Sequence, residues 1–518
     1  MRSSLPGNSA RCCERQIFGA GATGAVTGRL SYATLRRIPR DLLPRRDPRE
    51  RRTRVVHLGV GAFHRAHQAF YTEQCGDWGI AGFTQRSARV ADQLAPQDGL
   101  YTLLVRDAEQ VSAQVIGALR EVRFAGAQPE AVAARIADPA VTVVTLTVTE
   151  KGYRHDPATG RLRMDDPEIA ADLAGRPPRT VVGQLAAGLA ARARADSGPL
   201  TVVCCDNLPS NGATLRGLAE QYVERYSHAQ LPRGEALASW IARSARFPAT
   251  MVDRIVPATT DADRAEAAAL LGVRDEGTVV AEPDTHWVIE DDFAGPRPPW
   301  EKAGALLVPD VSPYEIMKLR VVNGAHSALA YLGGLAGHAY IAAAAADPDL
   351  ATYVRRLLAE DVAPTLDPPA GVDLAAYNER QLHRFANPAL RHAVTQVAMD
   401  GSQKLPQRLL GTVRDRYKAG SEPVWAALAV AAWMRHVATG RSDDGRPFPV
   451  DDPLATLFSK RLRGARHPRQ VAAALLGIRE VFGDLADNAA FAELVTAHLE
   501  RLTRDGAAAA VRAMTQLS

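Results

Sequence analysis

VVHLGVG, residues 55–61, reads as a short buried strand running into a glycine turn. Beyond it, apolar and polar residues follow helical spacing through Ala66, Phe70 and Tyr71. Strand, glycine turn and helix in that order open a βαβ unit. Further along, residues 79–83 fit a second strand, and Pro129–Ala137 a helix with proline in its first turn. Residues 141–148 are β-branched and apolar without alternation, as in a central parallel strand covered on both faces, and residues 200–205 repeat that texture. Strands alternating with helices imply right-handed crossovers and a doubly wound sheet.

Past about residue 310 the texture changes. Helical periods take over at 314–332, 349–362, 422–437, 468–482 and 489–504. In the last of these, Phe491, Leu494, Val495, His498 and Leu499 form one stripe, and Gly506 is a plausible stop. The expected fold is an α/β N-terminal domain at 30–310 followed by an all-α C-terminal domain at 311–518.

Composition bounds the function. Apolar residues at 46% and charged residues at 23% describe a globular chain. The longest apolar run, 424–434, is too short to span a membrane, so no membrane partner is expected. Residues 1–52 hold twelve Arg and four acids, a net of +8, which leaves the rest at −4 of the overall +4. That acidic body argues against nucleic acid, whose phosphates need clustered cations on the folded surface. Residues 1–29 are expected to be disordered or an over-extended start. The cysteines Cys12, Cys13, Cys75, Cys204 and Cys205 contain no C-x-x-C, and a reducing cytoplasm is the expected compartment.

Gly59-x-Gly61 permits close backbone approach to a pyrophosphate at the start of a helix, but His64 stands where G-x-G-x-x-G would end. A tight turn without a ligand explains the glycines as well. No acid precedes Asp92 where the ribose-gripping residue belongs. Arg86 and Arg89 there suit a 2′-phosphate or simply a solvated loop. NAD is the expected cofactor and NADP stays open.

In KLRVVNGAH, residues 318–326, α-helical geometry of about 100° per residue puts His326 roughly 80° and Asn323 roughly 140° around from Lys318. All three can border one cavity, with a lysine to take a hydroxyl proton and an amide to hold the alkoxide. A surface lysine, a capping asparagine and a core histidine account for the same spacing. His57, His64 and His67 lack the Cys or acid set of a metal site, and no G-x-S-x-G supports a hydrolase.

Six ordered segments add a resemblance: VVHLGVGAFHRAHQ (55–68), TVTEKGY (147–153), DNLPSNG (206–212), FPATMVDRIVPAT (247–259), WVIED (287–291) and PYEIMKLRVVNGAHSALAYLG (313–333). Residues 30–515 resemble the mannitol dehydrogenase family, which includes mannitol 2-dehydrogenases and fructuronate and tagaturonate reductases. The resemblance implies an α/β Rossmann-like N-terminal domain for the cofactor, an all-α C-terminal domain, and a metal-independent, nicotinamide-dependent secondary-alcohol dehydrogenase, expected to be a monomer. It makes Lys318 the acid/base, Asn207 and Asn323 the oxyanion pair, and His326, Asp253, Lys404 and Gln396 the substrate residues. Gly59, Gly61, Phe63 and His64 match the family's dinucleotide loop, with Glu150 on the cofactor side near a proton exit. Mannitol-type members carry Arg where this chain has Gln396, and 390–408 looks like fructuronate reductases. Their carboxylate substrate wants a cation such as Arg391, Lys404 or Arg408. D-mannonate and D-fructuronate are therefore the expected pair. Mannitol 2-dehydrogenase or D-arabinitol dehydrogenase activity is the alternative, and a catalytically inactive sugar-binding regulator the alternative of another class.

Overall fold

The computed structural model describes residues 26–156, 159–226, 231 and 236–516, which divide into a unit ending at Ser312 and a unit beginning at Pro313. The first unit is built on six parallel strands: β1 (Arg52–Leu58), β2 (Trp78–Thr84), β3 (Leu119–Phe124), β4 (Val143–Leu146), β5 (Leu200–Cys204) and β6 (Ala245–Arg246). Their order across the sheet is β6-β5-β4-β1-β2-β3. Chain direction across the sheet therefore reverses beside β1, where open α/β sheets bind ligands outside the carboxyl ends of their strands.

The non-alternating apolar runs are explained by burial on both faces. Val56, Val144 and Val202 join a core completed by α3 (Pro129–Ala137), α4 (Val181–Arg194) and α5 (Asn211–Val223). Their neighbours Val55, Val143 and Val203 join the opposite core with Ala66 of α1 (Ala62–Ala66) and Phe70 and Tyr71 of α2 (Gln68–Glu73). Two three-stranded sheets, one of them Thr250–Asp253, His286–Glu290 and Leu306–Val308, and a two-stranded pairing of His155–Asp156 with Arg161–Leu162 accompany the six-stranded sheet.

The expectation of disorder over 1–29 lies outside the described residues as far as residue 25. Thr27 to Arg29 are held: the Thr27 amide donates to the Gly272 carbonyl at 3.1 Å, the Arg274 amide donates to Gly28, and Arg29 bridges Arg274. Cys12 and Cys13 also lie outside; Cys75, Cys204 and Cys205 are buried thiols.

Among its described residues the second unit builds its regular elements from helices alone, joined by loops with two isolated bridges. The stretch expected as one helix at 314–332 is α6 (Ser312–Lys318), a π-helical turn (Leu319–Asn323) and α7 (Gly324–Leu335). The apolar α8 (Val424–Thr439) is buried almost throughout, and α9 (Ala489–Asp505) buries Phe491, Val495, His498 and Leu499 as its stripe requires. No helix among the described residues is long and apolar enough to cross a membrane.

Candidate active site

The glycine turn follows β1 directly. Gly59 sits at φ 105°, a conformation L side chains rarely adopt, and a Cβ there would lie 2.1 Å from the Thr147 carbonyl oxygen. Its amide and that of Val60 both donate to the Phe83 carbonyl, at 2.8 and 3.2 Å. Gly61 is extended and immediately precedes α1, and a Cβ on it would meet only the Gly59 oxygen, at 3.7 Å. Backbone is thus bare beside the first free amides of a helix, at the reversal point of the sheet. This arrangement fits a dinucleotide pyrophosphate.

Behind the turn His57 is held from both sides. Its Nδ1 lies 2.8 Å from the Thr145 hydroxyl and its Nε2 2.9 Å from the Thr147 hydroxyl. The Thr147 hydroxyl donates onward to the Gly59 carbonyl at 3.0 Å, so Nε2 must carry the imidazole proton. Burial pushes His57 down to about 3, keeping it neutral. His64, in place of the third glycine, is fully buried and stacks on His57 with ring centroids 3.4 Å apart. What His64 can offer a cofactor is therefore its backbone. Phe63 is half-buried and stacks on His67, whose Nε2 lies 2.9 Å from the His286 carbonyl oxygen. Among the described residues, no group of three or more His, Cys, Asp or Glu is placed to hold a metal ion.

The loops after β4 and β5 are tied to each other. Asp206 accepts from the Val148 and Thr149 amides, both at 2.9 Å, and from the Tyr153 hydroxyl at 2.6 Å. Burial pushes its carboxyl up to about 6 against those hydrogen bonds. Asn211 donates to the carbonyls of Asp206 and Thr250 at 3.0 and 2.9 Å. Exposed Asn207 thus lies on a loop anchored at both ends, while half-buried Glu150 begins the turn Glu150–Tyr153. Asp253 is buried at the end of its strand, paired in register with His286. After β2, the Thr84 hydroxyl donates to the Ser87 carbonyl at 2.7 Å, and Arg86 and Arg89 are exposed.

In the helical unit, Lys318, Asn323 and His326 are all buried, at 4%, 8% and 9% exposure. The π turn closes over five residues, since the Gly324 amide donates to Leu319. Asn323 is thereby brought roughly one turn above Lys318 instead of ~140° around, and His326 follows on the same face. Gly324 makes room for this: a Cβ there would lie 2.8 Å from the Arg408 carbonyl oxygen, within a second π-helical turn, Pro406–Leu410.

Phe385 stacks on His326 at 4.8 Å between centroids, and His392 lies edge-on at 5.0 Å. Burial holds His326 well below its ordinary value, reinforced by His392, Arg408, Lys404 and Arg384. Asn323 Nδ2 and His326 Nε2 have no hydrogen-bond partner among the described residues. Lys404 donates from Nζ to the Val397 carbonyl at 3.2 Å, and Arg408 to the Ser327 hydroxyl at 3.0 Å. Gln396 and Arg391 are exposed. Sequence reasoning missed Phe385, His392 and Arg384. It also missed Asp206 and Tyr153, although both lie inside quoted motifs.

The mannitol dehydrogenase Rossmann domain matches residues 53–302, and the mannitol dehydrogenase C-terminal domain residues 310–503. The uncharacterized oxidoreductase YdfI of Escherichia coli (strain K12) is 43% identical over 470 residues, covering 88% of this chain and 94% of that protein. The D-mannonate oxidoreductase of the same organism is 40% identical over 480 residues, 89% of this chain and 96% of that one. The ternary complex of Pseudomonas fluorescens mannitol 2-dehydrogenase with NAD and D-mannitol superposes with a TM-score of 0.87 at 33% identity, covering 95% of this chain and all of the other.

Proposed function

The chain belongs to the mannitol dehydrogenase family, and from that premise we propose that it is an NAD-dependent oxidoreductase acting on a sugar acid, D-mannonate and D-fructuronate being the first pair to try. One observation carries the choice of an acid over a neutral polyol. Arg408, Lys404 and Arg384 bear on His326, whose Nε2, like the Asn323 amide, has no protein partner among the described residues. Neutral imidazole and amide suit hydroxyls, while a cationic surround offsets the charge of a carboxylate.

In this reading Lys318 accepts the proton of the reacting hydroxyl and returns it in reduction. Asn323 donates its amide hydrogen to the oxygen as negative charge develops there. A neutral His326 binds an adjoining hydroxyl without competing for the proton. Asn207 and Asp253 keep the roles the resemblance gives them, amide donor and hydroxyl acceptor, and Gly59 and Gly61 receive the dinucleotide. A bound nicotinamide supplies the hydride acceptor.

The test is an initial-rate assay following nicotinamide absorbance with D-mannonate, D-altronate, D-mannitol and D-arabinitol, with and without a strong chelator. Preference for D-mannonate undiminished by the chelator is expected. Preference for D-mannitol, the ligand of the superposed Pseudomonas enzyme, would replace the acid by a polyol, and zinc-restorable loss would overturn the metal-free chemistry.

A further inference from the structure

We propose that Arg320 is a positioning residue of the reaction: from within the π-helical turn Leu319–Asn323 it ties that turn to two neighbouring segments and so holds the Asn323 amide above Lys318. The inference rests on the roles given above to Lys318 and Asn323, and concerns what sets their spacing.

The turn selects the place. A π turn closes over five residues where an α-helix closes over four, so it carries a residue that the regular ladder would expel. A slip of that one residue would rotate everything beyond the turn by about 100° relative to everything before it. Lys318 immediately precedes the turn and Asn323 ends it, so the pair lies astride the one feature that can slip. Their common face therefore needs something that resists the slip, and Arg320 is the second residue of the turn.

Its guanidinium grips two separate elements. Nη1 donates to the Thr365 carbonyl at 3.1 Å, and Nη2 to Asp415 Oδ2 at 2.7 Å. Thr365 ends the 3-10 turn Ala363–Thr365, which continues directly from a π-helical segment, Leu357–Val362. Asp415 lies in the helix Gly411–Lys418, which continues directly from the π turn Pro406–Leu410. One planar fork thus joins the turn of the site to the continuations of two others, a geometry that an ammonium cannot copy. Gly411 leaves the fork its place, since a Cβ there would lie 3.3 Å from Nη2. Burial pushes the Asp415 carboxyl up, but the hydrogen bond and charge of Arg320, with Lys418 beside them, outweigh it and hold the group below its ordinary value. The partners are themselves anchored: Arg416 lies 3.8 Å from buried Asp361 in Leu357–Val362, and Asp361 accepts the Ala426 amide at 2.8 Å. The Arg320 side chain is 14% exposed, so little water competes for these bonds.

The experiment compares R320A, R320K and D415N with the wild type in initial-rate assays with NAD⁺ and D-mannonate or D-mannitol, at a temperature where melts show each chain folded. R320A is expected to lower kcat about 10–100-fold while the KM for the sugar and the dissociation constant of NADH stay within about twofold. R320K should recover part of the loss, and D415N should share it in smaller measure because the Thr365 contact remains. The deciding readout is R320A/N323A. With the amide already gone, adding R320A to N323A should lower kcat by no more than about twofold further. Should R320A not fold, D415N and D415N/N323A carry the same comparison. Wild-type kcat in R320A or in D415N, a change in KM alone, or fully multiplicative losses in the double variant would overturn the proposal. Wild-type kcat in N323A would instead remove the role of Asn323 on which the proposal rests.

Discussion

Tyr153 donates its hydroxyl hydrogen to Asp206 across 2.6 Å, joining the loop after β4 to the loop after β5 at the carboxyl edge of the sheet. The same carboxylate takes two amides from the first loop, so residues 58 and 57 positions apart in sequence are held by one side chain. Asn207 and Glu150, both candidates for the reaction, are next to atoms in this clamp.

The clamp has a pH signature. Burial raises the folded Asp206 carboxyl to about 6 from its ordinary value of 3.8, so between those values the folded state holds a proton the unfolded state has released. The contribution to stability is full below the unfolded value and is lost as pH rises through the folded one. Denaturant melts of wild type and D206N should diverge in favour of D206N from pH 4 to 6 and run parallel above. A pH-independent difference would show that Asp206 titrates normally.

The buried histidines act in the opposite sense. Burial lowers His57, His64, His67, His326, His392, His436 and His498 in the folded chain. Each contributes stability that is complete above the unfolded value near 6.5 and lost as pH falls through the window below it. Global stability should therefore decline steeply below pH 6.5, with uptake of several protons on unfolding measurable from the slope. A flat profile down to pH 5 would contradict the burial of these rings.

Replacing Lys318 by Ala should reduce kcat by about 10²–10⁴-fold, the range for a lost general acid/base, while fluorescence titration still shows cofactor binding. Retention of wild-type turnover would remove Lys318 from its proposed role.

Replacing Gly324 by Ala puts a methyl 2.8 Å from a backbone oxygen that cannot swing away. The two π-helical turns must part, at a cost of about 1–3 kcal/mol, and kcat should fall with stability because Lys318 immediately precedes the displaced turn and Asn323 ends it. An unaltered melting temperature would mean that the approach of Gly324 to Arg408 is not required.

Much of this protein was legible along the chain because its signals are local. Doubly covered strands declare themselves as continuous apolar runs, a glycine turn by the conformation it needs, and buried helices by stripes such as Phe491 to Leu499. The candidates Lys318, Asn323 and His326 were visible too, but their shared face was not, because periodicity assumes an α-helix and a π turn inserts a residue without marking it. Tertiary structure alone decided that turn, the threonines that set the His57 tautomer, the Asp206 clamp, and the cations that gather around His326. Each depends on hydrogen bonds or charges between residues far apart in sequence, and such pairs leave no period to read.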